Sequence, residues 1–341
     1  MRTDIKSMLP GELEDYFISI GEKGYRAGQV FRWLHEGVTT FEQMTNLPVN
    51  LRGKLSDDFY ITTTKIIQKQ VSKVDGTIKY LWRLSDGSEI ESVLMEYKHG
   101  STICISTQVG CRMGCLFCAS GIDGLQRNLA ASEMLDQVLF SQIDSSKRIS
   151  NIVLMGIGEP LDNFDNVIRF IELITDPSGI NIGARHITLS TCGLIENIDK
   201  LGDYGIQLTL AISLHAPDDA TRKRLMPNAH KYSVDEIMAA GENYYNKTKR
   251  RVTYEYALIN DINDTPRHAE LLANKLRGSG SHLNVIFLNF VPGRDFTPST
   301  QKRANEFLDC LKQNGINFTI RRNLGSDIAA SCGLLRQRNR K

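Results

Sequence analysis

Apolar residues recur with two different spacings along residues 100–321. Short runs rich in Val, Ile and Leu predict strands, whereas apolar residues three and four positions apart predict amphipathic helices. The predicted strands are 102–106, 152–155, 186–190, 207–213, 252–257, 284–290 and 317–321. The predicted helices are 132–142, 164–174, 196–201, 234–246, 267–277 and 301–312. The alternation indicates an α/β fold with a parallel sheet and right-handed crossovers. The number of units favours a full or partial (β/α) barrel.

Two smaller segments precede this region. Residues 1–58 contain short amphipathic stretches and predict a helical accessory domain, which is either a structural lid or a module that grips RNA. Residues 59–98 are rich in β-branched residues, and Asp75-Gly76 and Asp86-Gly87 mark the turns of an antiparallel β segment or linker. Residues 99–341 then form the predicted barrel, and no Gly-x-Gly-x-x-Gly motif of a dinucleotide-binding fold follows its first strand.

Small and polar residues cluster where the predicted barrel strands end. In such barrels the active site lies at the carboxyl ends of the strands. Each of these residues also has an ordinary interpretation as a turn glycine, a helix-capping serine or a structural histidine. Their shared position favours a binding site formed by Gly158, Glu159, Ser190, Ser213, His215 and Asn289.

Three cysteines, Cys111, Cys115 and Cys118, follow the first predicted barrel strand within one short loop. Thiolates hold iron–sulfur clusters, and three thiolates leave one iron of a four-iron cluster free to bind a small molecule and pass it an electron. The alternatives are a zinc site completed by a distant His or Cys, and three unrelated buried cysteines. The spacing favours the cluster.

Composition and charge exclude several other classes of protein. The chain has 341 residues and a net charge of only +2, so it is not a polycation, although basic residues group at 247–251, 321–322 and 336–341. No apolar run is long enough to span a bilayer, and no signal peptide is evident. Seven cysteines, an odd number, argue against a secreted disulfide framework and favour the cytoplasm.

The cysteine spacing resembles the radical S-adenosylmethionine (SAM) superfamily, and further motifs make the resemblance closer. These motifs are 103–111, 155–160, 188–190, 211–217 and the segment around Cys332, and the match runs from the N-terminal helices to Arg336. Together they resemble the RlmN/Cfr family of radical SAM methyltransferases, which act on RNA adenines. The resemblance implies a partial barrel with a [4Fe-4S] cluster on the cysteine triad and two SAM molecules for each turnover. The residues implied to hold SAM are Gly158, Glu159, Ser190, Ser213, Leu214, His215 and Asn289.

The same resemblance implies roles for three more residues. Cys332 takes a methyl group from one SAM, a radical made from the second SAM activates that methyl group, and the carbon radical adds to the adenine. Cys104 then forms a transient disulfide with Cys332 and releases the methylated base. Glu91 matches the proton acceptor of the family, and its alternative interpretation is a surface glutamate on a strand.

The implied substrate is an adenosine at the peptidyl transferase centre of 23S rRNA, with an anticodon-loop adenosine of tRNA as a second substrate. Pro160 favours methylation of C2, since the branch that methylates C8 has alanine there. We expect a monomer without a membrane segment, fed by an electron donor such as flavodoxin. Three residues near Cys332 depart from the family pattern, where Ala329, Ser331 and Leu334 replace Asp, Ala and Gln.

Overall fold

The computed structural model describes residues 2–98, 100–229 and 231–336, so most of the basic run at 336–341 lies outside it. Within these residues the strands are β1 (Thr3–Asp4), β2 (Phe59–Tyr60), β3 (Lys65–Val71), β4 (Ile78–Arg83), β5 (Glu89–Tyr97), β6 (Gly100–Cys104), β7 (Gln108–Gly110), β8 (Leu125–Asn128), β9 (Ile149–Leu154), β10 (Ile187–Thr191), β11 (Thr209–Ser213), β12 (Val252–Leu258), β13 (His282–Phe287) and β14 (Phe318–Ile320). The α-helices are α1 (Pro10–Ser19), α2 (Tyr25–Glu36), α3 (Val49–Asp58), α4 (Ala131–Ser145), α5 (Phe164–Thr175), α6 (Ile195–Asp203), α7 (Asp219–Leu225), α8 (Val234–Thr248), α9 (Pro266–Leu276) and α10 (Gln301–Gln313).

A parallel sheet joins β6, β9, β10, β11, β12, β13 and β14 in that order. Helices α4 to α10 lie on the connections between these strands, so every predicted barrel strand and helix is present. β14 is one edge of the sheet and β3 the other, and no hydrogen-bonded pair joins these two edges among the described residues. The predicted partial barrel is therefore confirmed.

The antiparallel segment is part of the same sheet. β3, β4, β5 and β6 pair antiparallel in sequence, and the predicted turn glycines Gly76 and Gly87 both have positive φ. The predicted boundary between residues 98 and 99 therefore falls between two strands, β5 and β6, that pair with each other. β5 and β6 are the link between the antiparallel strands and the parallel strands of the barrel.

The parallel strands can be recognised in the amino-acid sequence because they are buried on both faces. Every residue of β12 is buried, and its neighbours β11 and β13 are mostly buried too. Such strands are continuous apolar runs rather than alternating ones. Within β12 the charged side chain of Glu255 is only 3% exposed, so a carboxyl group is buried within this strand.

One helix of the barrel region, α7, has no counterpart in the sequence prediction. It is short and carries three consecutive basic residues, Arg222, Lys223 and Arg224, which in sequence resemble a solvated loop. The Asp218 side chain caps its start by accepting a hydrogen bond from the backbone N–H of Thr221 at 2.9 Å. The helix is thus fixed by its cap and by its packing rather than by amphipathic periodicity.

The N-terminal helices share one apolar core with the barrel. A buried ion pair also fastens them, since Lys6 Nζ lies 2.8 Å from Asp136 Oδ1 on α4 and both side chains are fully buried. Asp136 also accepts a hydrogen bond from the backbone N–H of Thr64 at 2.9 Å. Burial raises the pKa of Asp136 to about 6, and the Lys6 ammonium opposes that shift. No described helix has the length and apolar character that a membrane span requires.

Replacement of Lys6 with methionine is expected to destabilise the protein by about 3–5 kcal/mol, because the Asp136 carboxylate stays buried without its counter-ion. The loss should be larger at pH about 8 than at pH about 5, where the unpaired carboxyl takes up a proton. Urea unfolding measures both values. The matched control is Lys54→Met, which removes the exposed Lys54–Asp58 pair and should cost below about 1 kcal/mol. Equal losses for the two variants would contradict a buried anchor.

Candidate active site

A cavity of about 170 Å³ lies at the carboxyl ends of the barrel strands, and we call it the main cavity. It receives side chains from the cysteine triad, from the ends of β9, β10, β11, β12 and β13, and from the segment after β14. The predicted site residues that line it are Cys111, Cys115, Cys118, Gly158, Glu159, Ser190, Ser213, His215, Asn289 and Cys332. The strand-end rule thus brings together residues that are far apart in sequence.

The three cysteines lie on a loop, residues 111–118, that we call the cysteine loop. Its start is fixed where the backbone N–H of Cys111 donates to the Gly124 carbonyl at 3.0 Å. Its middle is fixed where Leu116 N–H donates to the carbonyl of Leu225, the last residue of α7, at 3.0 Å. Gly114 has a φ of 62°, and a Cβ there would lie 2.6 Å from the Asn228 side chain, so the loop requires glycine at this position.

The triad is the donor set that an iron–sulfur cluster needs. Burial raises the pKa of Cys111 to about 12 and that of Cys115 well above its ordinary value, and the thiolate of Cys118 raises both further. The three cysteines line one cavity, although no three His, Cys, Asp or Glu side chains of the described residues are arranged to hold a metal ion. Binding of metal to these thiols must displace their protons.

Gly158 and Glu159 form a tight turn after β9. Gly158 has a φ of 111°, and a Cβ would lie 2.8 Å from the backbone nitrogen of Gln108. The Glu159 carboxylate accepts hydrogen bonds from the backbone N–H groups of Cys192 at 2.8 Å and Leu161 at 3.1 Å. Burial raises the pKa of Glu159, and the bond from Cys192 opposes the shift. This carboxylate ties the end of β9 to the end of β10.

The predicted residues after β10 and β11 differ in their environments. Ser190 Oγ and Ser213 Oγ lie 3.5 Å apart on neighbouring strands and both face the main cavity. The Leu214 side chain is fully buried in the apolar core and lies outside the cavity lining, and its carbonyl accepts from Arg222. His215 lines the cavity with an unusual positive φ of 55°.

His215 is a neutral donor. Its Nδ1 accepts a hydrogen bond from the backbone N–H of Ala257 at 3.0 Å, so the ring proton must be on Nε2. Burial lowers the pKa of His215 to about 3, and the Arg222 guanidinium acts in the same direction. The ring also packs edge-on against Phe117 of the cysteine loop, with 4.8 Å between the ring centroids.

The residues from 324 to 336, which we call the Cys332 segment, fold back over the cavity. Asn289 Nδ2 donates to the Cys332 carbonyl at 3.0 Å, so this predicted cofactor residue also positions Cys332. Ala119 N–H donates to the Gly333 carbonyl at 2.8 Å, which joins the segment to the end of the cysteine loop. The Cys332 thiol is thereby held on the same cavity as the triad.

Cys104 and Cys332 also share a second, smaller cavity. Arg321 lines both cavities, the second of them together with Cys104 and Cys332, and its Nη1 lies 3.6 Å from Glu255 Oε2. Burial raises the pKa of Cys104 to about 12, and the Arg321 guanidinium opposes that shift. The Cys332 thiolate, in turn, raises the pKa of Arg321.

Glu91 lies outside both cavity linings, at the back of the Cys332 segment. It is 3% exposed, which excludes the alternative of a surface glutamate. One of its oxygens accepts from the backbone N–H of Arg336 at 3.0 Å, and the other lies 3.4 Å from Lys79 Nζ. Lys79 also donates to the Ala329 carbonyl at 3.2 Å. Lys79 and Glu91 therefore hold the Cys332 segment at one residue before Cys332 and at one residue after it.

The structure shows a local role or conformation for two of the three residues that depart from the family pattern. Ser331 Oγ donates to the Leu324 carbonyl at 3.0 Å, so the added hydroxyl closes the loop before Cys332. Ala329 has a φ of 51°, a region that aspartate tolerates better than alanine. Nothing in the structure explains Leu334.

Sequence reasoning missed Arg321, Glu255 and Arg222 as residues of this region. Arg321 follows the last strand, so the strand-end rule had the signal to find it. Glu255 interrupts an apolar run, which is also a usable signal. Arg222 gives no such signal, because its basic neighbours on α7 are exposed while Arg222 itself is 1% exposed.

Comparison with known proteins agrees with this geometry. A family model for the radical SAM superfamily matches residues 105–272, and one for a ribosomal RNA large subunit methyltransferase N-terminal domain matches residues 3–61. A protein of Alkaliphilus metalliredigens named "Probable dual-specificity RNA methyltransferase RlmN" is 51% identical over 337 residues, which are 99% of this chain and 96% of the relative. This chain belongs to the RlmN family of radical SAM RNA methyltransferases.

Two further matches support membership of the RlmN family. A protein of the same name from Clostridium tetani is 50% identical over 327 residues, which are 96% of this chain and 94% of the relative. The crystal structure of a radical SAM methyltransferase from Sphaerobacter thermophilus has a TM-score of 0.92 and 41% identity, and covers 98% of this chain and 99% of that one. The chain is therefore a SAM-dependent RNA methyltransferase with the radical SAM fold, and its family implies SAM and a [4Fe-4S] cluster.

Proposed function

We propose that this enzyme methylates C2 of an adenosine at the peptidyl transferase centre of 23S rRNA, and C2 of an anticodon-loop adenosine in tRNA. The observation that carries the proposal is the pair of thiols, Cys104 and Cys332, which share one cavity beside the cysteine triad. The relatives' name, a dual-specificity RNA methyltransferase, and the match to a ribosomal RNA methyltransferase domain support the two substrates.

Cys111, Cys115 and Cys118 hold the cluster in this proposal. When bound, the cluster supplies the electron that cleaves one SAM to methionine and a 5′-deoxyadenosyl radical. Gly158, Ser190, Ser213, His215 and Asn289 line the space beside the triad and orient that SAM. Leu214 contributes through its backbone only, because its side chain belongs to the core. The neutral His215 offers a donor that does not titrate near neutral pH.

Cys332 is the methyl carrier in the first half of the reaction. Its thiolate attacks the methyl carbon of one SAM, so that a bond from Cys332 sulfur to the methyl carbon forms, the bond from that carbon to the sulfonium sulfur breaks, and S-adenosylhomocysteine leaves. The cation of Arg321 lines both cavities that Cys332 lines. The carrier methyl group then gives up one hydrogen atom to the radical derived from a second SAM, and the resulting carbon radical adds to C2.

Cys104 completes the reaction. The adduct loses the C2 proton, for which Glu91 is the proposed acceptor with Lys79 holding its carboxylate. It also loses one electron, which the cluster held by the triad would take back. The Cys104 thiolate attacks the sulfur of Cys332, so the sulfur–carbon bond breaks as the disulfide forms. The methylated adenine leaves with the bonding electron pair and takes up a proton. An external dithiol restores both cysteines.

Cations surround the approach to the second cavity. The exposed side chains of Lys98 and Arg322 join Arg321 and the ring of Tyr97 in lining an adjoining depression. Cations attract RNA phosphates, and aromatic rings stack on bases. A single-stranded or unfolded adenosine could reach Cys332 here only by leaving its stack.

All seven cysteines, each within the described residues, are free thiols, which supports a reducing compartment such as the cytoplasm. We propose that the enzyme acts there as a monomer and receives electrons from a donor of the flavodoxin type.

The decisive test is nucleoside analysis by mass spectrometry after incubation of the anaerobically reconstituted enzyme with unmodified 23S rRNA and tRNA. We expect 2-methyladenosine in both RNAs. 8-Methyladenosine in the rRNA would replace the C2 assignment with C8, and unmodified tRNA would restrict the substrate to rRNA. A protein that binds zinc and no iron, and methylates neither RNA, would refute the proposed mechanism.

A further inference from the structure

Arg222 is a cation buried in the interior of the protein. It is 1% exposed, and it forms no ion pair among the residues that the structure describes. Its two terminal nitrogens donate only to neutral groups, and its Nε has no hydrogen-bond partner in the described part of the chain. Burying a guanidinium without an anion costs on the order of several kcal/mol. Its burial therefore requires a negative charge nearby in the working protein.

The acceptors of Arg222 are backbone carbonyls at the ends of two barrel strands and the thioether sulfur of Met226, which lies 3.5 Å from Nη1. Nη1 donates to Ser213 at 2.9 Å and to Leu214 at 2.7 Å, and Nη2 donates to the carbonyl of Cys192. These bonds position the ends of β10 and β11. A neutral side chain with hydrogen-bond donors could bind the same carbonyls. These bonds therefore explain why a forked donor occupies this position, but they do not explain why that donor is positively charged.

The groups whose negative charge acts on Arg222 are, strongest first, the thiols Cys192 and Cys115 and the Asp219 carboxylate. Asp219 is exposed, so the buried groups that can become negative beside Arg222 are the two thiols. The helix that carries Arg222 is also joined to the cysteine loop, through the bond from Leu116 to Leu225. Arg222 lies behind the wall of the main cavity and is not among its lining residues, so it reaches the cluster's environment without touching SAM.

We propose that Arg222 is the buried counter-ion of the iron–sulfur cluster and raises its reduction potential. The cluster with its three thiolates is anionic, and reduction adds one more negative charge. A fixed cation in a water-poor region stabilises the reduced form more than the oxidised form. Arg222 is in this sense a positioning residue with an electrostatic effect. The proposal rests on the proposed function only in that the cysteine triad holds the cluster.

The test compares three variants of the full chain with the wild type after anaerobic reconstitution of the cluster. The midpoint potential of the cluster is measured in a redox titration that is monitored by electron paramagnetic resonance. Arg222→Gln keeps hydrogen-bond donors and removes the charge, and Arg222→Lys keeps the charge and loses the planar fork. Arg224→Gln is the matched control, because Arg224 is exposed on the same helix. Iron and sulfide content and the melting temperature are measured for each.

We expect R222Q to have a more negative potential, with roughly a tenfold or larger fall in the ratio of reduced to oxidised cluster at a fixed ambient potential. R222K should melt at a lower temperature but keep a potential near that of R224Q and the wild type. An R222Q protein with full iron content and an unchanged potential would overturn the inference. So would an R222K protein whose potential falls together with its melting temperature, and this comparison decides the matter even if R222Q does not fold.

The measured shift in reduction potential does not depend on whether the enzyme methylates RNA. A shifted potential in R222Q supports the counter-ion whether or not the enzyme methylates the proposed adenosines. Wild-type protein that binds no iron would instead overturn the cluster assignment, and the counter-ion with it.

Discussion

The Cys104→Ala enzyme is expected to accumulate RNA that is covalently attached to Cys332. Release of the product requires a thiol that attacks the Cys332 sulfur, and Cys104 is the thiol that shares the second cavity with it. Without that attack, the methylene bridge between the Cys332 sulfur and the adenine persists. Multiple turnover should fall by roughly three orders of magnitude or more. Denaturing gel electrophoresis with labelled RNA detects the adduct, and mass spectrometry of the digested adduct locates it.

Two other cysteine variants are the controls for this result. Cys332→Ala should give neither adduct nor methylated RNA, because the carrier is gone. Cys310→Ala should behave as wild type, since Cys310 lies on α10 with its sulfur 3.7 Å from the Pro266 carbonyl and outside both cavities. Continued turnover by C104A without an adduct would show that another thiol, or water, releases the product.

The Cys118→Ala enzyme is expected to lose its iron and, with it, all radical chemistry. Two thiolates from this short loop leave two irons of the cluster without a protein ligand, and exposed clusters of that kind disassemble. The measurements are iron and sulfide content, the visible absorption of the reconstituted protein, and 5′-deoxyadenosine formed from SAM. All three should fall to the background of unreconstituted protein.

Cys192→Ala is the matched control for the triad. Its side chain is buried on the same cavity, yet it lies after β10 and not on the cysteine loop. C192A should therefore retain iron and form 5′-deoxyadenosine. Loss of iron from C192A together with retention by C118A would move the third ligand from Cys118 to Cys192 and refute the assigned set.

The fold and much of the site could be predicted from the sequence because the relevant signals are local. Strands that are buried on both faces are mostly apolar, and β12 keeps that character although Glu255 interrupts it. Residues at the ends of such strands converge whatever the details of packing, and so the strand pattern alone is enough to group Glu159, Ser190 and His215. The cysteine triad can be recognised from its spacing alone, because its three members lie in one short loop.

The rest depends on packing between distant segments. The proximity of Cys104 and Cys332 was predictable only through the resemblance to a family, since nothing in the composition of β6 indicates what folds back onto it. Arg222 is indistinguishable in sequence from Lys223 and Arg224, and only the docking of α7 against the cysteine loop buries it. The anchoring of the N-terminal helices through Lys6 is hidden for the same reason.

The Cys332 segment follows every strand of the sheet in the chain and is tied to strands that come first. Asp327 accepts hydrogen bonds from Ser72 and Lys73 at the β3–β4 turn, and Gly325 donates to Asp75 in the same turn. During synthesis the ribosome therefore completes the cysteine loop and the strand ends around the main cavity before it delivers Cys332. Under the proposed mechanism, a chain cut short before residue 324 would contain the residues that generate the radical and no methyl carrier, so an intact reading frame would couple consumption of SAM to modification of RNA.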